Sequence, residues 1–396
     1  MSVTAADGFE AGGFACGIKP DGVLDLALVT TTDRRPVPAA AVFTTNLVQA
    51  APVQVSRDHL RDGLAAAVVL NSGNANAATG ENGRRDARRM CELSAASLGC
   101  AAADVLVCST GLIGVPLPME PVEAGIPKLA ATLGPSGDVA ADAILTTDTV
   151  RKEAHERVEL GDGAAVTVGG MAKGAAMLAP SMATMLTVLT TDAVVDSHAL
   201  HEMLASAVDS SFHELSIDGC TSTNDTVLAL ANGRAGNAPV GPGTPDGSRL
   251  EGAFRHVCLS LSVQMATDAE GATKLVEITV RGARTRDEAR RAARTVAESQ
   301  LVQCSLNGGD PYWGRVLSEL GVSGARFDPE QVEIAYGDVT VCRDGVQAEH
   351  DAGQLGKVMS ERSITVTCDL NAGAEQATLR TTDLSHAYID ENRRTS

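Results

Sequence analysis

Residues 169–193 read GGMAKGAAMLAPSMATMLTVLTTDA, and the reading of the whole chain turns on what this stretch becomes. It opens on Gly169-Gly170 and Lys173, passes through Pro180, and ends in residues 185–190, an apolar run with the composition of a buried strand. At the join a small residue, Ala183, precedes a hydroxyl residue, Thr184. On spacing alone, Thr184 simply begins the strand. A threonine becomes a nucleophile only when a base takes its proton, and one arrangement uses the threonine's own α-amino group. That arrangement requires the chain to be cut between Ala183 and Thr184. The freed amine, with a pKa near ~8, is then suited to act as a base at neutral pH.

Composition narrows the classes. At 396 residues, 44% apolar and 21% charged, the chain has the material for a large core and more than one lobe. Aromatics are only 3%, so that core is built from Ala, Val, Leu and Met. A net charge of −18 argues against nucleic acid or an anionic membrane as partner, since both need a basic face. Nine scattered cysteines without a CxxC or Cys/His cluster point to reduced thiols rather than a zinc site. The first residues lack the basic and apolar regions of a signal peptide, and no run reaches membrane-span length. The expectation is a cytoplasmic globular protein without metal or bound cofactor.

Along the chain, short strand-like runs alternate with helical patterns. Residues 65–70 form a buried-strand candidate that ends in the polar run 71–76, read as a tight turn or as a substrate-facing loop at a strand end. Residues 83–99 have helical periodicity with a stop at Gly99. Residues 105–108 form another buried strand leading into Ser109-Thr110-Gly111-Leu112-Ile113-Gly114, a turn whose exposed N–H groups suit a developing oxyanion. Thr146-Thr147-Asp148-Thr149 reads as a helix cap or Asx-turn, and residues 150–166 as a charged, exposed hairpin. A helix is expected over 196–211 with Asp196 or Ser197 as N-cap, and a second from the capping box Thr285–Glu288 to about residue 299. The polar run 218–226 lacks the carboxylate spacing of a calcium loop and reads as a turn between helix and strand. Residues 233–252, rich in Gly and Pro, read as a surface loop, and Gly337-Asp338 as a type I′ hairpin turn. There is no GxSxG elbow, no GxGxxG after a strand and no phosphate loop.

The run MAKG followed by MLAPSMATML and TTDA resembles the cleavage segment of the ornithine acetyltransferase (glutamate N-acetyltransferase) family. The likeness extends from Gly17-Ile18-Lys19 through Gly309-Asp310-Pro311 and Trp313-Gly314-Arg315-Val316 to the tail ending at Asn392, with departures at Asn307 and Tyr312. It implies a mixed α/β fold, two sheets packed between helical layers, of the type shared with DmpA-like proteins. It also implies self-cleavage between Ala183 and Thr184 into fragments 1–183 and 184–396, which stay associated and pair as two α and two β fragments.

The implied chemistry is ping-pong transfer of acetyl from N2-acetyl-L-ornithine to L-glutamate through acetyl-Thr184, with Thr110 and Gly111 as oxyanion hole. The implied substrate contacts are Lys173, Glu270, Asn392, Thr184 itself, a threonine of the pair Thr146/Thr147, and a terminal hydroxyl from Thr395 or Ser396. Acetyl-CoA enters as a further acetyl donor in some relatives. Two other classes fit the residues: a self-processed amidohydrolase or aminopeptidase, and an uncut binding protein in which Thr184 stays inside a strand.

Overall fold

In the strands Leu26–Thr31, Ala67–Asn74 and Val105–Leu112, successive apolar side chains go to opposite faces, and this alternation builds two cores at once. Leu26, Leu28, Ala67, Val69, Val105 and Val107 pack under helices with Met90, Ile126 and Leu129. Ala27, Val29, Val68, Leu70, Leu106 and Cys108 face the other way, onto Met171, Val188, Leu228 and Leu230 of a second sheet. A strand buried on both faces needs an unbroken apolar run, which these have. The computed structural model describes residues 2–177 and 185–393. They divide into one unit running up to His213 with Thr221–Met265, and a second comprising Glu214–Cys220 and the chain from Ala266 onward.

The first unit carries strands β1 (Phe9–Phe14), β2 (Leu26–Thr31), β3 (Val37–Phe43), β4 (Leu64–Ala65) and β5 (Ala67–Asn74). It continues with β6 (Val105–Leu112), β7 (Lys152–Glu159), β8 (Ala165–Lys173), β9 (Leu186–Thr191) and β10 (Thr226–Ala231). They form one sheet in the order β1-β2-β5-β6 and another in the order β4-β3-β10-β9-β8-β7. Helices α1 (Ala51–His59), α2 (Gly80–Leu98) and α3 (Met119–Ala130) cover the first sheet, with the short α4 (Asp138–Ala143) against β1. Helix α5 (Ser197–Asp209) lies on β3, and α6 (Pro245–Thr267) brings Val257 and Leu261 against β8. At Gly170 in β8 an added Cβ would stand 2.6 Å from the Leu189 side chain and 3.1 Å from Val257, so glycine lets the helix approach. The helix–sheet–sheet–helix layering is the expected one.

The second unit adds a third sheet, which the expectation of two did not include. Its strands are β11 (Leu275–Ala283), β12 (Glu333–Tyr336), β13 (Val339–Arg343), β14 (Val346–Gln347), β15 (Ser363–Asp369) and β16 (Glu375–Thr382), in the order β14-β13-β12-β15-β11-β16. Around it run α7 (Arg286–Ala297), α8 (Gln300–Asn307), α9 (Trp313–Val322), α10 (Ala352–Ser360) and α11 (His386–Asn392). Ala289, Ala293, Val296, Leu306 and Leu320 pack with Val276, Ile278 and Val366 into its core.

Local rules hold at the helix ends. Asp196 caps α5 by accepting from the Ala199 N–H, Thr285 caps α7 through Glu288, and Gly99 ends α2 in the left-handed conformation. Four expectations need correction. The runs 71–76 and 109–114, read as turns, are in their first four residues the continuing ends of β5 and β6, paired in parallel. The second half of the glycine- and proline-rich 233–252 is helix, because Pro245 sits where its missing N–H costs nothing. In the 150–166 hairpin, Lys152 is wholly buried rather than exposed. At Gly337-Asp338 only Gly337 has positive φ, at +55°, the pattern of a type II′ turn rather than I′. The nine cysteines are free thiols, and among the described residues no helix is long and apolar enough to cross a membrane.

Candidate active site

Ala183 and Thr184, the expected cleavage pair, lie outside the described residues, as do Thr395 and Ser396. What surrounds the described ends of that segment is well defined. Met185 is anchored by a buried carboxylate: its N–H donates to Asp225 Oδ1 at 3.0 Å, and its carbonyl accepts from the Thr226 N–H at 3.1 Å. Asp225 is fully buried and its Oδ2 has no hydrogen-bond partner among the described residues. Burial pushes its pKa well above the usual carboxylate range, against the Met185 N–H, the charge of Lys173 and the hydroxyl of Ser222, which together only partly oppose it.

Thr110 and Gly111 stand at the end of β6. The Thr110 side chain is buried, 1% exposed, and its hydroxyl has no partner among the described residues. Such a hydroxyl is costly to leave idle. Gly111 has φ +132°, and a Cβ there would fall 2.3 Å from the Gly73 carbonyl carbon and 2.5 Å from the Asn74 nitrogen. The parallel pairing of Ser72 with Thr110 and Gly73 with Gly111, followed by a register shift at Asn74, produces that close approach. The strand ends are fixed by side-chain amides. Asn71 donates to the Asn74 carbonyl and accepts from the Ser109 hydroxyl, and Asn224 donates to the carbonyls of Ala75 and Ser109 at 2.7 and 2.8 Å. A narrow recess of about 20 Å³ lined by Thr110, Gly111, Met177, Ser222 and Asn224 opens here. A larger concavity of about 590 Å³ lies elsewhere, where Arg151 is already committed to Asp138 and Asp142.

Lys173, the last residue of β8, donates to the Thr146 hydroxyl at 2.6 Å, so Thr146 rather than the exposed Thr147 is brought to it. Both are organised by Asp148, whose buried carboxylate accepts from the Thr146 N–H at 3.1 Å, the Gly174 N–H at 2.7 Å and Lys152 Nζ at 2.7 Å, with Lys173 Nζ at 3.5 Å. Burial alone would raise the Asp148 pKa. The Lys173 and Lys152 ammonium groups and the Gly174 N–H outweigh it and hold this carboxyl well below the usual range.

In the second unit, Glu270 Oε2 accepts from Asn392 Nδ2 at 2.7 Å, and the same amide donates to the Tyr388 carbonyl at 3.0 Å. The two expected residues, far apart in sequence, are direct partners there. Asp148, Lys152 and Asp225 were not singled out from the sequence. Asp148 sits in a threonine-rich run that mimics a cap, Lys152 in a charged strand, and Asp225 in a polar run that reads as a turn. Among the described residues no group of histidines, cysteines and carboxylates could hold a metal ion.

The ArgJ family matches residues 10–395 of the chain. The chain is 48% identical over 391 residues to the arginine biosynthesis bifunctional protein ArgJ of Symbiobacterium thermophilum, covering 98% of this chain and 97% of that one. It is 48% identical over 393 residues to the protein of the same name from Thermobifida fusca, covering 99% of each. Among solved structures, the arginine biosynthesis bifunctional protein argJ from Bacillus halodurans aligns with a TM-score of 0.50 and 30% identity, over 52% of this chain and 96% of that chain.

Proposed function

The chain belongs to the ArgJ family, and from that premise we propose how it moves an acetyl group and which of its residues do so. As an enzyme it is a glutamate N-acetyltransferase (ornithine acetyltransferase), an acyltransferase of arginine biosynthesis. In our reading the chain cuts itself between Ala183 and Thr184, and Thr184 becomes an N-terminal nucleophile. Its Oγ attacks the acetyl carbonyl of N2-acetyl-L-ornithine while its α-amino group takes the proton. The Thr110 hydroxyl and the Gly111 N–H receive the negative charge that develops on the carbonyl oxygen. The tetrahedral adduct collapses, the proton passes to the leaving amine, and ornithine departs. L-glutamate then attacks the acetyl ester by the reverse sequence. Acetyl-CoA enters this scheme only as an alternative donor to the same threonine.

The observation that carries the reading is the buried Thr110 hydroxyl, without a partner among the described residues, beside the obligatory glycine at the end of β6. A donor held in this way is preorganised for charge that appears only during reaction, an effect worth roughly 3–4 kcal/mol per donor. Lys173, Thr146, Glu270, Asn392 and a terminal hydroxyl (Thr395 or Ser396) are assigned to the amino-acid ends of the substrates, where the α-carboxylate needs a cation and the ornithine amine an anion. Cleavage gains support from the Bacillus halodurans chain, which is 96% covered by only 52% of this one and so is about 0.54 of its length. Residues 184–396 are the same fraction of 396.

The test begins with the mass of the purified protein under denaturing conditions. Two fragments meeting at Ala183/Thr184, and acetyl passing from acetylornithine to glutamate without loss to water, are the expected results. A single 40.7 kDa chain would remove the nucleophile. Free acetate released at the same rate with or without glutamate would make the protein a hydrolase.

A further inference from the structure

We propose that Lys19 is a second cation of the substrate-carboxylate site, binding the anionic end of the amino-acid substrate together with Lys173. The proposal rests on the acetyltransferase reading above and adds to it a residue from a different part of the chain.

Lys19 follows β1 in a loop folded around one carboxylate. The fully buried Asp25 accepts the backbone N–H groups of Cys16, Gly17, Ile18 and Lys19 at 2.7, 2.9, 2.6 and 3.0 Å. Four donors on one carboxylate fix the loop and the direction in which the Lys19 side chain leaves it. Its stem lies on Gly73, where an added Cβ would be 3.0 Å from Lys19 Cγ, and Gly73 is the residue paired with Gly111. The lysine therefore passes over the end of β5, next to the end of β6 that carries the oxyanion candidates.

At its tip, Lys19 Nζ donates to the Leu145 carbonyl at 2.6 Å and to the Leu24 carbonyl at 2.9 Å. Lys173 Nζ donates to the Thr146 hydroxyl at 2.6 Å. Two ammonium groups are thus brought to consecutive residues from opposite parts of the unit. A Lys ammonium has three N–H donors, and the third of Lys19 has no acceptor among the described residues. Burial pulls the Lys19 pKa down, Asp25 pulls it up, and Lys173 pulls it down again.

The Lys173 ammonium is felt at Lys19 and, like burial, disfavours its charged form. Two like charges held near one another in a partly desolvated site repel unless an anion comes between them. The α-carboxylate common to acetylornithine and glutamate supplies that anion, and two lysines give its two oxygens separate donors.

A lysine that merely ties its loop to Leu145 would serve every substrate equally, and this separates the alternatives. We compare N2-acetyl-L-ornithine with N-acetylputrescine, the same amide without the carboxylate, in the wild-type protein, Lys19→Met and Lys19→Arg. Lys19→Met is expected to lower kcat/KM for acetylornithine about 10- to 100-fold, the range for one charge-assisted hydrogen bond, mostly through KM. For acetylputrescine the change is expected to stay within about threefold, and Lys19→Arg recovers part of the acetylornithine loss. An equal loss on both substrates, or no loss on either, overturns the proposal. A lysine-selective acylating reagent provides a second measurement on the unaltered protein. Glutamate is expected to protect Lys19 from labelling and putrescine is not; equal labelling with and without glutamate overturns the proposal. Failure of the wild-type protein to transfer acetyl to glutamate would instead sink the functional reading, while the protection experiment would still report on Lys19.

Discussion

Thr110→Val separates catalysis from stability, because the structure makes the two move in opposite directions. The Thr110 hydroxyl is buried and has no partner among the described residues, so folding strips it of water and they return nothing. Leaving a buried polar group unsatisfied costs roughly 1–3 kcal/mol. Valine keeps the branched shape that the strand packs around and removes the hydroxyl, so the variant is expected to gain about 1 kcal/mol in denaturant unfolding. In the proposed reaction the same hydroxyl gains an acceptor, and its loss is expected to cost about 3–4 kcal/mol, or about 10²- to 10³-fold in kcat. Thr110→Ser keeps the donor and is expected to stay within about tenfold of wild type. The assay is single-turnover release of ornithine from acetylornithine, with fragment masses followed in parallel because the proposed chain cleavage also develops an oxyanion. A variant that loses stability and activity together, or a fully cut Thr110→Val protein within tenfold of wild-type kcat, would refute the reasoning.

Gly111→Ala is expected to lose roughly 2–5 kcal/mol of stability in denaturant melts. About 1–2 comes from an L-residue at positive φ and about 1–3 from overlap with the Gly73 and Asn74 backbone, which cannot turn aside as a side chain can. A loss below 1 kcal/mol would mean that the strand ends have room to separate. Asp225→Asn keeps an acceptor for the Met185 N–H and removes a carboxyl whose pKa is raised by burial. A carboxyl that holds its proton more tightly when folded destabilises the fold progressively as pH climbs above its unfolded value near ~3.9. The melting temperature of Asp225→Asn relative to wild type is therefore expected to rise from pH 4 to pH 8. A difference that stays flat or shrinks over that range would show that Asp225 is stabilised as a carboxylate.

Much of the fold was legible because its signals are local. The apolar runs of β2, β5, β6 and β9, the Asp196 and Thr285 caps and the glycine stop of α2 each depend on a few neighbouring residues. The misread segments are those in which local preference and tertiary pairing disagree. Asn71-Ser72-Gly73-Asn74 has turn composition, yet its backbone is claimed by the parallel pairing with Ser109-Thr110-Gly111, and the amides of Asn71 and Asn224 replace the bonds a turn would have made.

The site follows the same division. Residues 185–190 read as a strand, and β9 is one; nothing in that spacing distinguishes a strand that merely starts from one whose first residue reacts. The difference lies in what other strands deliver. Asp225 from the start of β10 holds Met185, Thr110 from the end of β6 offers an idle hydroxyl, and Lys173 from the end of β8 meets Thr146 over the carboxylate of Asp148. These strand ends meet because β5 and β6, and likewise β9 and β10, run parallel, so that each pair closes at one edge of its sheet. Short polar residues at a strand end, read as a turn when taken singly, are therefore better weighed in pairs. Two such ends that can lie side by side in a parallel sheet, one with a hydroxyl and a glycine and the other with small amides, are positioned to share a reacting atom before any catalytic residue is identified.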